Sequence, residues 1–247
     1  MGVSLSLIGA GGSILTIPIL VYLLDTPIVK ATTYSLVIVG CSALIACISY
    51  RKHIIFYKAL LLTLPSIIGV FVSRFYIIPN LPKSFGIVSI EKILIILLLI
   101  FIGVAGYFMV NDFNSDDHYS VKSHTDKKMT IILIGLCLGG LTGLLGAGGG
   151  FLIIPTLVLL MKFTMQEVIP TSLFIITVNS LIGFAADKVQ LLSTDWLELS
   201  KYLGCTFLGI YIGIYIAKFI KSKNLKTVFG YFIWIIGIGI LMQEFIL

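Results

Sequence analysis

The chain has 247 residues, of which 58% are hydrophobic and 11% charged, with a mean hydropathy of +1.11. A soluble domain carries roughly 45–50% apolar and about 25% charged residues, so this chain lacks the polar surface needed to stay in solution; at about 20 residues per span it holds roughly seven or eight crossings and no water-soluble catalytic domain. The net charge of +6 belongs in cytoplasmic loops, and the absence of a basic stripe with interleaved aromatics argues against a nucleic-acid partner.

Apolar runs fall at about 3–24, 31–50, 55–78, 93–110, 129–161, 168–186, 202–217 and 227–243. The opening residues carry no basic n-region, so no cleavable signal peptide is expected. The first run contains Gly9, Gly11 and Gly12, then Pro18, residues that interrupt a simple spanning helix. The polar stretch 111–128, with Asp112, Asp116, Asp117, Lys122, Asp126, Lys127 and Lys128, reads as an extramembrane linker. It separates a first unit, 1–110, from a second, 129–247.

The run 129–161 is too long for one span. Its 33 residues would reach about 50 Å as a single helix. Gly146 and Gly148–Gly150 break it near the middle, and Pro155 follows. Two helical arms meeting at a glycine turn and dipping into the membrane fit better. Only about eight residues precede the matching glycines of the first unit, so its first arm is expected to be short or missing.

The two units align without a gap at an offset of 137 residues. Residues 9–20, GAGGSILTIPIL, fall on 146–157, GAGGGFLIIPTL, and ten of fifteen positions are identical between 9–23 and 146–160. The same offset places Ser35-Leu36 on Ser172-Leu173 and Ser42 on Asn179. Internal duplication is a common architecture of secondary transporters. The expected fold is therefore all-α: a polytopic membrane protein of two repeats, each a broken or re-entrant helix plus three transmembrane helices.

Loop charges suggest that the repeats are inverted. Arg51, Lys52 and Lys58 follow the second run without an acid, whereas the corresponding 187–201 carries Asp187, Asp195 and Glu198 against Lys188 and Lys201. The first loop reads as cytoplasmic and the second does not, while Lys218, Lys221, Lys223 and Lys226 mark another cytoplasmic loop. Arg74, Lys83 and Lys92 fall on the non-cytoplasmic side in this scheme and count against it.

The doubled glycine turn is the strongest candidate site. A helix broken at membrane depth leaves backbone N–H groups that lipid cannot satisfy, so they must face protein, water or a ligand. Helix starts after Gly9–Gly12 and Gly146–Gly150 would offer partial positive charge to an anion, with Pro18 and Pro155 closing each segment. Close packing through small residues is the alternative, and it suits Gly135-xxx-Gly139-xxx-Gly143 and Gly209-xxx-Gly213 better than the doubled turn. Hydroxyl and amide groups cluster on the next run of each unit: Thr32, Thr33, Ser35 and Ser42, then Thr171, Ser172, Thr177, Asn179 and Ser180. Ser35 with Ser42, and Ser172 with Asn179, are seven apart and share a helical face. They either complete hydrogen bonds to an oxyanion or bond between helices.

No acidic, basic or histidine residue lies at the centre of any run, so no proton-relay carboxylate is expected at depth. Cys41, Cys47, Cys137 and Cys205 sit in apolar runs without CxxC spacing, and His53, His118 and His124 lie in loops. No metal, cofactor or catalytic site is expected. GAGGG lacks the Gly-Lys-Ser/Thr of a phosphate-binding loop and the βαβ context of a dinucleotide fingerprint.

The doubled G-x-G-G-G/S-x-L-x-x-P, followed about twenty residues later by Thr171-Ser172-Leu173 or Tyr34-Ser35-Leu36, resembles the TauE/SafE family of sulfite and organosulfonate exporters. The resemblance covers nearly the whole chain. It implies a multi-pass transporter of the cytoplasmic membrane for small sulfur-containing oxyanions. Carried over, the motif falls on Gly9, Gly11, Gly12 and Pro18, on Gly146, Gly148, Gly149, Gly150 and Pro155, and on Ser35, Thr171 and Ser172. Ser13 stands where the second unit has Gly150, and Tyr34 where it has Thr171, which makes the first-unit site the less secure.

The expected function is a secondary transporter moving a small oxyanion through one site between the units, with Ser42 and Asn179 among its lining. The lipid bilayer and the anion are the expected partners, and the small-xxx-small faces would permit a homodimer. A membrane accessory factor and a passive anion channel are the alternatives.

Overall fold

The computed structural model describes residues 1–8, 11–51, 54–80, 84–85, 88–89, 128–146, 148–161, 163–187 and 195–217, with single positions within 96–107 and 231–242. In lipid, a helix is the open-ended structure that satisfies its own backbone. Among the described residues, four helices are long and apolar enough to cross a bilayer: Ile28–Tyr50, Phe56–Asn80, Glu167–Ala186 and Trp196–Ile216. The protein is an all-α polytopic membrane protein.

In chain order, α1 (Gly2–Ile8) is followed by α2 (Gly11–Pro18), which runs into a π-helical turn at Ile19–Leu23. Next come α3 (Ile28–Tyr50) and α4 (Phe56–Val72), the latter continued by a π turn, Ser73–Ile77, and the short α5 (Ile78–Asn80). A two-residue antiparallel pairing, β1 (Ser84–Phe85) with β2 (Val88–Ser89), lies in a stretch expected as loop. The second unit gives α6 (Lys128–Leu145), α7 (Gly150–Pro155) with a π turn at Thr156–Leu160, α8 (Met165–Ala186) and α9 (Trp196–Ala217). The runs 93–110 and 227–243 and the linker 111–127 lie largely outside the described residues.

The break in the long second-unit run falls where the glycines are. Gly146, Gly148 and Gly149 all have left-handed backbone, with φ of 68°, 63° and 70°. That region is open to glycine at no steric cost. The arms are unequal: α6 has 18 residues, whereas α7 has 6 before its π turn. In the first unit, α1 has 7 residues.

Boundaries recur at the 137-residue offset. Ile28 and Met165 open α3 and α8, and the π turns at Ile19–Leu23 and Thr156–Leu160 coincide. So do single hydrogen bonds: Thr26 N–H donates to the Leu20 carbonyl at 3.0 Å, and Phe163 N–H to that of Leu157 at 3.1 Å. Proline removes the donor for the carbonyl four residues back, and a π turn follows Pro18 and Pro155 alike. Helix starts are set locally. Thr164 and Glu167 form a capping box on α8. Asp195 accepts from the N–H groups of Leu197 and Glu198, so α9 begins six residues before its apolar run.

Of the four spans, α3 is the most buried and α9 the least. Leu208, Tyr211, Ile212 and Tyr215 of α9 are exposed apolar side chains, as a lipid-facing surface requires. Helices α3 and α8 cross at the centre. Thr33 meets Asp187, Leu36 meets Gly183, and Gly40 meets Ser180 and Leu181, so the two run antiparallel. Helix α6 packs on α4, with Gly135, Gly139 and Gly143 against Pro65, Ser66 and Val70. Helix α9 packs on α1, with Gly209 and Gly213 against Gly2 and Val3. Both small-xxx-small faces expected to permit a homodimer are thus filled from within the chain.

Candidate functional site

The first finding is an ion pair that the sequence did not reveal. Arg74, in the π turn after α4, is only 1% exposed, and Asp187, which ends α8, is 5% exposed. Arg74 Nη1 donates to Asp187 Oδ2 at 3.0 Å. The Thr33 hydroxyl donates to the same oxygen at 2.7 Å, and Thr32 Oγ1 lies 3.4 Å from Arg74 Nη1. The guanidinium comes from the first unit and the carboxylate from the second.

One sequence expectation is corrected here. The loop charges put Arg74 on the non-cytoplasmic side as a free loop charge, but it is interior and paired, so it no longer weighs in the loop balance. Asp187, at the end of α8 rather than at the centre of a run, is buried with it. Both residues lie at the ends of apolar runs, where a charge that reaches water and a charge that pairs inside the protein look the same in sequence.

The ion pair meets the second glycine turn. Gly146 lies directly against Arg74 Nη2 and Thr32, and a Cβ at this position would collide with both. Glycine therefore serves two purposes: it accepts a φ of 68° and lets the backbone reach the guanidinium. Among the described residues, Arg74 Nε and Nη2 have no hydrogen-bond partner. An arginine has two bidentate edges, and the one formed by Nε and Nη2 makes no hydrogen bond to the described residues while Nη1 holds Asp187. Leaving buried donors of a charged group unsatisfied is costly, so this edge is poised for an acceptor. Ser35, one helical turn from Thr32 on the same face, is fully buried, and its Oγ also lacks a partner.

The predicted hydroxyl and amide groups do not form one site. Because α3 and α8 are antiparallel, Ser35 lies near the Asp187 end, whereas Thr171 and Ser172 lie about 24 Å away along α8. Ser42, Asn179 and Ser180 occupy the middle of the crossing, where Gly148 abuts Ser180 and Val39. The structure also sorts these groups by satisfaction. The Ser172 hydroxyl donates to the Ile169 carbonyl at 2.9 Å, and that of Thr177 to Leu173 at 2.7 Å. By contrast, Ser42, Thr171 and Ser180 hydroxyls and Asn179 Nδ2 are buried without partners among the described residues, although Asn179 Oδ1 accepts from Ser66 at 2.9 Å.

The first glycine turn is different. Gly9 lies outside the described residues, while Gly11, Gly12 and Pro18 belong to α2 and Gly12 packs on Leu5. Gly150 and Pro155 bound α7 in the same way. The helix starts expected to bind an anion are partly occupied: the Gly149 carbonyl already accepts from the N–H groups of Leu152 and Ile153. A cleft beside Gly12, Thr16 and Ser42 measures about 10 Å³, too small for an anion. A cavity of about 270 Å³ is apolar and lined in part by Ile19, Leu20, Ile38 and Tyr202; it does not include Arg74.

A second polar cluster ties α3 to α9. Lys30 pairs with Glu198 at 3.4 Å, Tyr202 donates to Glu198 at 2.8 Å, and the Tyr34 oxygen accepts the Asp195 N–H at 3.1 Å. Tyr34 therefore serves the contact between helices, which explains its departure from the Thr171 of the second unit.

Comparison with known proteins agrees with this architecture. The profile of a family described as "Sulfite exporter TauE/SafE" matches residues 1–240. A "Probable membrane transporter protein YunE" of Bacillus subtilis is 28% identical, over 96% of this chain and 92% of its own length. Proteins named probable membrane transporter from Xylella fastidiosa and Methanocaldococcus jannaschii are 23% and 24% identical, covering 99% and 98% of this chain and 92% of each relative. No solved structure matches the chain. A fold of apolar spanning helices, a helix broken at a doubled glycine motif, and a family match across almost the whole sequence together mean that this integral membrane protein belongs to the sulfite exporter TauE/SafE family of membrane transporters.

Proposed function

We propose that the protein is a secondary transporter of the cytoplasmic membrane for a small oxyanion such as sulfite or an organosulfonate, bound on the unpartnered Nε–Nη2 edge of Arg74. That unpartnered edge, fully buried against the Gly146 turn, is the observation that carries the reading. Two oxygens of an oxyanion match the two parallel donors of a guanidinium edge. Ser35 would add a third hydrogen bond. The site draws Arg74 and Ser35 from the first unit and Gly146 from the second, so it lies between them.

An inverted arrangement of the two units would support alternating access. Equivalent helices α3 and α8 pack antiparallel, as repeats inserted in opposite senses would. Arg74 is closed off in this conformation, so one unit must rock against the other for an anion to reach it.

The test is transport of labelled sulfite and labelled ethanesulfonate into proteoliposomes. Wild-type protein should concentrate one of them when an ion gradient or potential is imposed, and Arg74→Lys should not. Flux only down the gradient would favour a channel, and no flux of either anion would favour an accessory role. Transport retained by Arg74→Lys would refute the guanidinium edge as the binding site.

A further inference from the structure

Resting on the oxyanion reading, we infer that Asp187 is a proton-binding residue of the transport cycle: it takes up a proton as the anion binds to the other edge of Arg74, making the proton the coupling ion.

The two edges of Arg74 face different occupants. Nη1 holds Asp187, while Nε and Nη2 have no hydrogen-bond partner among the described residues. An incoming monoanion therefore adds one negative charge to a cluster that is almost wholly out of water. Uncompensated charge in such surroundings is expensive. Protonation of Asp187 cancels the added charge. The step is balanced: a proton from the aqueous phase forms an O–H bond on the carboxylate, no bond in the anion changes, and both are released together on the far side.

Thr33 makes the protonated state tolerable. Its hydroxyl lies 2.7 Å from Asp187 Oδ2 and 3.3 Å from the carbonyl of Val29 in its own helix. It donates to the carboxylate when Asp187 is ionised. When Asp187 is protonated, Thr33 accepts from it and turns its own proton to Val29. The same three groups thus satisfy both states with no movement of heavy atoms.

Other titratable groups near this end of α3 are already committed. Lys30 is held by Glu198, and the Tyr34 oxygen accepts the Asp195 N–H beside that same carboxylate. Arg74 is the charged group that the π turn after α4 directs at Asp187. From α3 the contacting group is Thr33, which does not titrate in this range.

The experiment uses the full chain in detergent at low buffer capacity. Ethanesulfonate is the probe, since its own charge is fixed across the neutral range, and proton uptake is followed with an indicator dye. The expected result is about one proton taken up per anion bound, with affinity falling about tenfold for each pH unit above the midpoint. Asp187→Asn, a neutral mimic of the protonated state, should bind without proton uptake and without pH dependence. Asp187→Glu should keep the uptake but move its midpoint, which a proton acceptor elsewhere would not do. Wild-type binding with no proton uptake, or uptake preserved in Asp187→Asn, overturns the inference while leaving the oxyanion reading intact. If neither ethanesulfonate nor sulfite binds, both fall.

Discussion

At the second glycine turn, Gly146, Gly148 and Gly149 are all left-handed, and a buried arginine lies against the first of them. At the first turn, the described glycines Gly11 and Gly12 are helical. The contrast extends to the surroundings. The residue that corresponds to Arg74 at the 137-residue offset is Tyr211, 69% exposed, and the counterpart of Asp187 is Tyr50, whose hydroxyl donates to the Ser6 carbonyl at 3.4 Å. Ile169 and Pro170 stand where the first unit has Thr32 and Thr33. The glycine motif occurs twice in the sequence, but among the described residues the charge, its partner and its hydroxyls stand beside one copy. A backbone break alone is a packing device, and the charged surroundings are what turn it into a candidate binding site.

The largest expected effect comes from breaking the charged turn. Arg74→Ala leaves Asp187 without its arginine and should cost about 3–5 kcal/mol of stability, together with loss of transport. Tyr211→Ala, at the equivalent exposed position, should stay within about 0.5 kcal/mol. The double variant Arg74→Met/Asp187→Leu replaces the pair by apolar groups of similar shape and should recover most of the stability but none of the transport. Thermal unfolding in detergent and labelled sulfite uptake read these two quantities separately. A double variant that still concentrates sulfite would remove the charged turn from the mechanism.

The glycines should show a smaller difference. Alanine at Gly148 must adopt a φ of 63°, with its Cβ 2.7 Å from Ser180 Oγ and Val39 Cγ1. The left-handed backbone alone costs roughly 1–2 kcal/mol. Gly11→Ala, in a helical position, should not destabilise on conformational grounds. Equal losses of stability from the two substitutions would mean that the turns are more alike than the structure shows.

Smaller still are the unpartnered hydroxyls. Ser35→Ala and Ser42→Ala each remove a group with no hydrogen bond to lose, so both should unfold within about 0.5 kcal/mol of the wild type. Ser35→Ala should raise the KM for transport by about 2–10-fold, the value of one hydrogen bond, whereas Ser42→Ala, beside the narrow first-unit cleft, should leave it nearly unchanged. The reverse order would move the site toward the middle of the α3–α8 crossing. With no energetic effect at all, single cysteines at positions 52 and 195 should label from opposite sides of the membrane. Labelling from the same side would end the inverted arrangement and leave the antiparallel packing of α3 and α8 to be explained in another way.

What the sequence determined by itself was everything that follows from local composition. Apolar runs gave the spans, because lipid demands continuous helix. Glycine and proline marked the breaks, because they act on the backbone at their own positions, and the 137-residue offset was legible because both breaks kept their residues. Tertiary structure alone decided which polar groups meet. Arg74 and Asp187 are 113 residues apart in sequence, and each sits at the end of an apolar run where nothing separates a charge reaching for water from one paired inside. The same holds for the hydroxyls: Ser172 finds a carbonyl in its own helix, and Ser35 finds no partner among the described residues. Hydrogen-bond satisfaction is a property of the assembled interior, and so the doubled turn could be read in the sequence while the one arginine that distinguishes its two copies could not.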